Sequence, residues 1–343
     1  MSENPRFPAE WEPQSAVLMA WPHAGTDWSE RLLETSRCFA NICTAISIRQ
    51  KLLLLVPNTT VEQEASRFLE TAGSRFENIH FIQLTYDDTW LRDSGPITLI
   101  TNSGFQLLDF HFTAWGGKFE AGLDDKIVAE LVNRGLFSDT QHQRIDFALE
   151  GGGIETDGMG TLLATWHCLH ERHPGMSRSE IETILKSALH QHRVLWLEHG
   201  YLEGDDTDAH IDTLARFASS ESIVYQGCQD SDDNHYSALT TMADELGQLR
   251  QSNGDPYRLF ELPWPQPIID NGRRLAASYA NFLIINDAVL MPLYGDAADN
   301  EAMAIMQQAF AGREIVGIPC QDLIWQNGSL HCCTMQLPRG LLK

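Results

Sequence analysis

Short apolar runs and segments with helical spacing alternate along nearly the whole chain. Apolar runs bounded by turn residues are typical of buried strands, and apolar positions three or four apart are typical of amphipathic helices. The runs predict strands at residues 16–20, 51–56, 79–84, 105–112, 144–149, 161–165, 194–197, 222–226, 258–262, 282–292 and 314–318. The helical spacing predicts helices at residues 28–49, 59–72, 123–136, 181–189, 233–249 and 300–310. This mixture indicates an α/β fold.

Capping boxes and the order of the elements add to this pattern. The box, a serine or threonine followed three residues later by glutamate, occurs at Thr59–Glu62 and at Ser177–Glu180,. Units of strands plus one helix recur at about one-fifth of the chain length, which suggests an internal repeat. No linker rich in serine, glycine or proline divides the chain. We therefore predict one α/β domain over residues 1–343.

Composition narrows the class of partner. The 343 residues are 43% hydrophobic and 21% charged, which is enough apolar material for a sizeable core,. The net charge is −23, which argues against nucleic acid or an anionic membrane, since both bind positive surfaces,. An acidic balance favours encounter with a cationic ligand, although it also serves solubility alone.

Cysteine usage and the N-terminus bear on the compartment. The seven cysteines form no C-x-x-C pair and are dispersed through apolar segments, which predicts free thiols in a reducing compartment,. The N-terminus has no signal-peptide pattern, and no apolar run approaches the roughly 18 residues of a membrane span. The expected location is the cytoplasm. The sequence leaves a homo-oligomer open.

One candidate nucleophile lies near the C-terminus, in residues 327–338. The stretch begins with a strong Asn-Gly turn signal and continues as an apolar run ended by Pro338, which predicts a buried strand,. Cys332 lies just past the turn, at the mouth of this strand. A lone cysteine is more often an inert buried residue than a nucleophile, so the assignment depends on the rest of the chain.

Four loops carry the polar residues that a nucleophile would need. Residues 86–96 hold three carboxylates, an arginine and a tryptophan, and residues 112–119 place two glycines beside a tryptophan. Residues 149–155 place a carboxylate before three glycines, and residues 204–213 place a histidine and an aspartate two positions apart. A solvated turn with ordinary ion pairs is the alternative interpretation of each loop. The candidate side chains are Trp90, Asp93, Trp115, Glu150, Asp206, His210 and Asp212.

Carboxylates from separate loops remain ionised around one site only if a cation lies between them. A metal is one such cation, but carboxylates suit magnesium or calcium, a thiol and imidazole suit zinc, and no ligand spacing supports either. A guanidinium is the other, because its fork of N–H donors matches carboxylates. Trp90 and Trp115 can add cation–π contacts of about 1 kcal/mol. The bound charge would lower the pKa of a thiol, and a histidine would transfer the proton.

Motifs in this chain resemble those of the agmatine deiminase and bacterial-type (Porphyromonas-type) peptidyl-arginine deiminase family of guanidine-modifying enzymes. They are WLRDSGP, AWGGK, LEGGGIE, DTDAHID and GSLHC, in the family's order, and with FPAEWEP they span the chain from Phe7 to Pro338. The resemblance implies a five-fold pseudo-symmetric α/β propeller of ββαβ units around a central active site. It also implies hydrolytic deimination of a small guanidine compound, agmatine first, with no cofactor and no metal.

The resemblance also implies roles for the matched residues. Cys332 would attack the guanidinium carbon and form an amidino-cysteine intermediate, and His210 would act as general acid and then base. Glu150 would bind a guanidinium nitrogen and orient His210. Asp93 and Asp212 would clamp the guanidinium. Asp206 is our candidate for a secondary substrate contact.

Some positions depart from the family's motifs. Cys333 occupies an apolar position of the GSLHC motif, and we expect it to face the core because successive strand residues point to opposite faces. Gly153 and Glu155 also depart from the agmatine-specific pattern, and so does the DAHIDT segment. The alternatives are therefore a peptidyl-arginine deiminase, an amidinotransferase, a guanidine-binding protein without turnover and, last, a zinc hydrolase.

Overall fold

A computed structural model describes residues 5–343. The strands are β1 Gln14–Ala20, β2 Lys51–Val56, β3 Ile79–Gln83, β4 Ile97–Thr101, β5 Gly104–His111, β6 Thr140–Ala148, β7 Glu155–Thr156, β8 Thr161–Thr165, β9 Arg193–Leu197, β10 Ala215–Ser219, β11 Ser222–Gln226, β12 Arg258–Leu262, β13 Ile269–Asp270, β14 Arg273–Arg274, β15 Leu283–Ile285, β16 Ala288–Leu293, β17 Glu314–Pro319 and β18 Met335–Pro338. The helices are α1 Leu32–Ser47, α2 Thr59–Ala72, α3 Leu91–Ser94, α4 Ala114–Gly117, α5 Ile127–Asn133, α6 Trp166–Arg172, α7 Arg178–Ala188, α8 Tyr236–Gln248 and α9 Asp299–Ala309. The fold is mixed α/β, as predicted.

Five sheets share one pairing pattern, in which an antiparallel strand pair is followed by a parallel pair. Their strand orders are β18-β1-β2-β3, β4-β5-β6, β7-β8-β9, β10-β11-β12 and β15-β16-β17. Within residues 5–343, no strand pairing joins these sheets into a closed barrel. The predicted recurrence of strand and helix units is therefore present, whereas the closed five-fold propeller stays a prediction.

The first sheet connects the two ends of the chain. Strand β18 pairs antiparallel with β1, and β1 pairs parallel with β2. Val17 and Met19 of β1 pack into one apolar cluster, while Leu18 and Ala20 pack into another. Because β1 is buried on both faces, its sequence is a continuous apolar run. The helices of the described residues are all too short or too polar to cross a membrane.

Most predicted elements are confirmed within a few residues, and the parallel strands are the most accurate. Strands β2, β8, β11 and β12 have the predicted bounds. The capping box at Ser177 and Glu180 is present at the start of α7. The box predicted at Thr59 is wrong, because Asn58 caps α2 by accepting a hydrogen bond from the Val61 amide. Asparagine is a strong N-cap and sits one residue earlier.

Other differences concern turns inside apolar segments. The predicted helix at 28–49 begins as a 3-10 turn, Asp27–Arg31, and becomes α-helical at Leu32. The predicted strand at 282–292 is a hairpin, β15 and β16, because Asp287 adopts a left-handed conformation with φ of 65°. Strands β4, β7, β10, β13 and β14 and helices α3, α4 and α6 were not predicted. Of these, β4, β7 and β10 open their units, and they matter because the candidate site lies beside them.

Candidate active site

Five polar side chains occupy equivalent places in the five units. Each lies in the short segment that precedes the unit's antiparallel strand pair: Asp93 before β4, Glu150 before β7, Asp212 before β10, Asn281 before β15 and Cys332 before β18. A segment that enters a buried strand ends next to the core, so a polar side chain there lies within the protein at a fixed position. The repeat thus brings one functional group from each unit to one site.

Cys332 lies in a tight turn and not on the predicted strand, because β18 begins only at Met335. The turn is held by the Thr334 amide, which donates to the His331 carbonyl at 3.0 Å. The carbonyl of Cys332 accepts from the Arg92 amide at 3.1 Å. Cys333 is fully buried and its Sγ lies 3.2 Å from the Leu330 carbonyl. It faces the core as expected, although the turn rather than strand alternation separates the two cysteines.

Two carboxylates lie on either side of the thiol. The Sγ of Cys332 lies 3.5 Å from Oδ2 of Asp212, and Asp93 is also close enough to act on it electrostatically. The pKa of the Cys332 thiol is raised well above its ordinary value. Burial is the largest cause, and the negative charges of Asp212 and then Asp93 add to it. The isolated site therefore holds a neutral thiol, and a cation placed between the two carboxylates would reverse the effect.

Asp93 is held by two donors, one from its own unit and one from the next unit. The Gly152 amide donates to its Oδ1 at 2.9 Å, and Nε1 of Trp115 donates to its Oδ2 at 3.0 Å. Burial raises the pKa of Asp93 to about 6, because desolvation and the nearby carboxylates outweigh His210 and these donors. The ion pair with His210 at 3.7 Å therefore does not fully offset the desolvation of this carboxylate.

His210 lies between Asp93 and Glu150 and is fully buried. Its Nδ1 is 3.7 Å from Asp93 Oδ1, and its Nε2 is 3.5 Å from Glu150 Oε2. Burial opposes the imidazolium, but Asp93, Cys168 and Glu150 outweigh it and raise the pKa of His210 well above its ordinary value. The imidazole is therefore placed to carry a proton next to the thiol site.

Glu150 is anchored on its other side by an arginine. Nε of Arg172 donates to Glu150 Oε1 at 2.8 Å, which leaves Oε2 turned toward His210. Burial opposes ionisation of Glu150, but His210 and Arg172 outweigh it and lower its pKa. Glu150 is thus an ionised group with one oxygen free for a ligand.

Asp212 belongs to a buried relay that the sequence did not reveal. Its Oδ2 lies 2.8 Å from Nδ1 of His331, and Nε2 of His331 lies 2.8 Å from Glu10 Oε2. Glu10 also accepts from Arg216 Nη2 at 2.7 Å. Burial opposes ionisation of Asp212, but His331 outweighs it and lowers the pKa of Asp212. Asp212 therefore remains a carboxylate in the core.

Asn281 is the functional residue that the sequence reasoning missed. Its Oδ1 accepts from the His331 amide at 2.9 Å, and its Nδ2 lies 3.2 Å from the Sγ of Cys332. An amide that donates to sulfur stabilises a thiolate and fixes the direction of the side chain. The signal that could have found it was positional, since it lies before β15 as the others lie before their strands.

A cavity of about 730 Å³ leads to Cys332 and Asp93. Trp90 and Trp115 line it, together with Asp206, whose Oδ2 accepts from Asn327 Nδ2 at 2.8 Å. The side chains of this lining include eight carboxylates and one arginine, Arg273; the carboxylates are Asp27, Glu30, Asp87, Asp88, Asp93, Glu120, Asp124 and Asp206. The field of such a cleft concentrates cations and repels anions.

Two groups of ligating side chains are close enough to hold a metal among residues 5–343. They are Glu150 with Cys168 and His210, and Glu10 with Glu155 and His331. The negative charge of the second group is already compensated, because Arg216 donates hydrogen bonds to both glutamates. Neither group includes Cys332, so the nucleophile candidate is not part of a metal centre in this arrangement.

The chain is similar to known proteins over nearly its whole length. The family model of the Porphyromonas-type peptidyl-arginine deiminases matches residues 6–338. A Porphyromonas gingivalis structure provisionally named an arginine deiminase is 44% identical, with a TM-score of 0.92 over 99% of this chain and 100% of that one. The substrate-bound agmatine deiminase of C. jejuni is 34% identical, with a TM-score of 0.90 over 98% of this chain and 97% of that one. The agmatine deiminase of Pseudomonas aeruginosa is 32% identical, covering 97% of this chain and 95% of the relative.

The fold, the thiol beside paired carboxylates and these matches define a hydrolase that acts on carbon–nitrogen bonds of linear amidines. Within that class, the chain belongs to the Porphyromonas-type peptidyl-arginine deiminase family. The resemblance of the motifs is thereby confirmed.

Proposed function

We propose that the protein hydrolyses the guanidinium group of agmatine to N-carbamoylputrescine and ammonia. The observation that carries this proposal is the placement of the Cys332 thiol 3.5 Å from Asp212 at the end of an acidic cavity. A planar, permanently charged guanidinium fits between carboxylates that otherwise repel one another. The names of several relatives support agmatine as the substrate.

Binding prepares the nucleophile. Asp93 and Asp212 accept hydrogen bonds from the guanidinium nitrogens, and Oε2 of Glu150 accepts another. The positive charge offsets the two carboxylates that raise the pKa of Cys332, so the thiol releases its proton to solvent and the thiolate forms when the substrate arrives,. Nδ2 of Asn281 stabilises the resulting sulfur anion. Trp90 and Trp115 enclose the cation, and Asp206 lies further out in the cavity.

The first chemical step forms a carbon–sulfur bond. The Cys332 thiolate attacks the guanidinium carbon, and the electron pair of the carbon–nitrogen double bond passes to one nitrogen. His210 gives a proton to the departing nitrogen, the carbon–nitrogen bond breaks, and ammonia leaves. The product of this step is a cationic amidino-cysteine, held by the same carboxylates.

The second step hydrolyses the amidino-cysteine and regenerates the free enzyme. Neutral His210 takes a proton from water, which attacks the amidino carbon, and the carbon–sulfur bond then breaks. The remaining hydroxyl proton passes to solvent, where it converts the released ammonia to ammonium, so the product carries a neutral ureido group in place of the guanidinium. Cys332 returns to the thiolate. Water supplies the oxygen, so the scheme balances without a redox cofactor or a metal.

A wider proposal concerns the architecture. We infer that residues 1–343 form one catalytic domain in which the five sheet units surround the site as a five-fold pseudo-symmetric propeller. The common pairing pattern and the equivalent places of Asp93, Glu150, Asp212, Asn281 and Cys332 support it. An experimental structure with non-equivalent directions for the five units would contradict it.

The proposed reaction is tested with purified protein and three substrates in parallel: agmatine, free arginine and an arginyl peptide. We expect ammonia and N-carbamoylputrescine from agmatine, and loss of both with Cys332→Ala. No product between about pH 6 and pH 9 would contradict the proposal. Citrulline in the peptide with agmatine unchanged would instead identify a peptidyl-arginine deiminase. Capture of the amidino group by an added amine would identify an amidinotransferase.

A further inference from the structure

A third ligating side chain lies behind the catalytic histidine. Glu150, Cys168 and His210 each offer one ligand atom, and these atoms lie within 4.8 Å of one another. All three residues are at most 1% exposed. Cys168 comes from α6, the helix that also carries Arg172. The proposed reaction does not use Cys168.

The atoms that face one another here have no other partner in the described structure. Oε2 of Glu150 and Nε2 of His210 make no hydrogen bond, although both are buried. Arg172 occupies only the other oxygen of Glu150. Gly153 keeps the space beside them open, since a Cβ there would lie 3.5 Å from Cys168 Sγ and 3.8 Å from His210 Nε2. Unpaired buried donors and acceptors in such a space call for a ligand.

The donor set selects the ligand. Sulfur, imidazole nitrogen and carboxylate oxygen together suit zinc, and neither magnesium nor calcium prefers a thiolate. Two ligands about 2.0–2.1 Å from a tetrahedral zinc are separated by roughly 3.4 Å. The separation between His210 Nε2 and Glu150 Oε2 is 3.5 Å. These two atoms thus already have the spacing of a zinc ligand pair.

We propose that Glu150, Cys168 and His210 form an inhibitory zinc site, with water in the fourth position. On binding, the Cys168 thiol and a protonated His210 each release their proton to solvent, so the metal is bound by a thiolate, a neutral imidazole and a carboxylate. That the occupied site is inhibitory rests on the proposed function. Zinc removes the proton donor and the free oxygen of Glu150, and its charge repels a guanidinium.

Binding is tested first, in the inactive Cys332→Ser protein, with Zn²⁺ followed by calorimetry and Co²⁺ followed by its sulfur-to-metal charge-transfer band. We expect one ion per chain and a thiolate band despite the missing nucleophile. Adding Cys168→Ser should remove the band and weaken zinc binding by roughly 100-fold or more, since even outer-shell changes cost about 10–100-fold. The matched control is Cys228→Ser, which changes a buried thiol outside the group of Glu150, Cys168 and His210 and should leave zinc binding unchanged.

Two results of the binding experiment would overturn the proposal. One is loss of zinc binding with Cys332→Ser alone, which would place the metal on the nucleophile. The other is unchanged binding with Cys168→Ser. Should that variant fail to fold by circular dichroism, Cys168→Ala and Glu150→Gln in the Cys332→Ser background provide the same comparison.

Inhibition is then measured in active protein, each variant relative to its own metal-free rate. Zinc should inhibit the wild type, a chelator should restore the rate, and Cys168→Ser should need roughly 100-fold more zinc. Zinc-dependent activation would contradict an inhibitory role. Because binding is measured without turnover, a failure of the proposed reaction leaves the zinc result interpretable, and a failure of zinc binding leaves the proposed reaction intact.

Discussion

At the scale of single residues, the site depends on Asp93, a buried carboxylate whose ion pair with His210 spans 3.7 Å. Asp93 accepts hydrogen bonds from the Gly152 amide and Trp115 indole, both neutral donors. Burial raises its pKa to about 6. A guanidinium supplies the missing charge, so substrate binding and ionisation of Asp93 should be linked.

The first prediction concerns pH. In the free protein Asp93 is protonated below about pH 6, and a protonated carboxyl repels a guanidinium N–H or leaves it unpaired. We expect kcat/KM for agmatine to fall about tenfold per pH unit below that value. Bound guanidinium lowers the pKa of Asp93, so the acid limb of kcat should lie at lower pH. Coincident acid limbs in the two profiles would contradict this assignment.

The second prediction concerns Asn281. Its side chain contacts the His331 amide and the Cys332 sulfur, so Asn281→Ala removes both the thiolate donor and the anchor of the turn. We expect kcat to fall on the order of 10²-fold, the loss typical of one donor to a developing anion. A change in KM alone would instead indicate a role in substrate binding. Single-turnover trapping of the amidino-cysteine distinguishes the two.

At the scale of elements, short turns rather than long helices set the geometry of the site. The 3-10 turn Gly151–Gly153 passes directly beneath Asp93 and His210. The Gly152 amide donates to Asp93, and the absence of a side chain there lets Asp93, His210 and Asp212 lie close to the backbone. The glycines that follow Glu150 therefore serve close packing and not phosphate binding.

The third prediction tests this close approach. A Cβ at Gly152 would lie 2.7 Å from both Asp93 Oδ1 and His210 Nδ1, so Gly152→Ala must displace catalytic groups. We expect at least 10²-fold lower kcat/KM, because a misplacement of about 1 Å costs that much. Gly247→Ala is the control, since nothing lies within 4 Å of its Cβ in helix α8. It should keep activity and stabilise the fold by about 0.5–1 kcal/mol.

At the scale of the whole molecule, a buried ion network connects the N-terminal segment, β10 and the C-terminal turn. Glu10 contacts Arg216 and His331, and Arg216 also contacts Glu155. Arg216 and His331 are at most 1% exposed, so removal of one partner leaves an uncompensated charge in the core,. The network thereby couples global stability to the position of Asp212.

The fourth prediction follows from that network. Glu10→Gln should destabilise the protein by about 3–5 kcal/mol in urea unfolding, because Arg216 and His331 lose their ionised partner,. Glu12→Gln is the matched control, since Glu12 pairs with Arg6 at the surface. An exposed pair contributes about 0–1 kcal/mol, so the control should change little. Equal losses in the two variants would contradict a structural role for the buried network.

The fifth prediction concerns the field of the whole chain. With a net charge of −23 and eight carboxylates around the cavity, encounter with dicationic agmatine should be electrostatically accelerated,. We expect kcat/KM to fall as salt rises from about 10 mM to 1 M, while kcat changes little, since salt screens exposed charges. A guanidine compound without the second amine should show a weaker salt dependence. An equal dependence of kcat/KM on salt for both compounds would exclude electrostatic acceleration of the encounter by the charge of the second amine.

The sequence by itself determined much about the elements and the chemistry. Apolar runs predicted the bounds of β2, β8, β11 and β12. In β2, β8 and β11 the signal is strong because strands buried on both faces carry few polar residues,. It also determined the family, because motifs centred on Asp93, Glu150, His210 and Cys332 occur in order.

Only the tertiary structure decided which groups meet. Asn281 and Cys168 carry no local signal, since an asparagine or a cysteine in an apolar segment has the same sequence pattern whether or not it faces a thiol or an imidazole. Glu10 and His331 lie in the matched motifs, but the motifs do not show that these two side chains contact each other. Likewise, the turn around Cys332 is apolar because it is buried, so its composition predicted a strand. Burial and distance between units decide these roles, and neither is a property of a short stretch of chain.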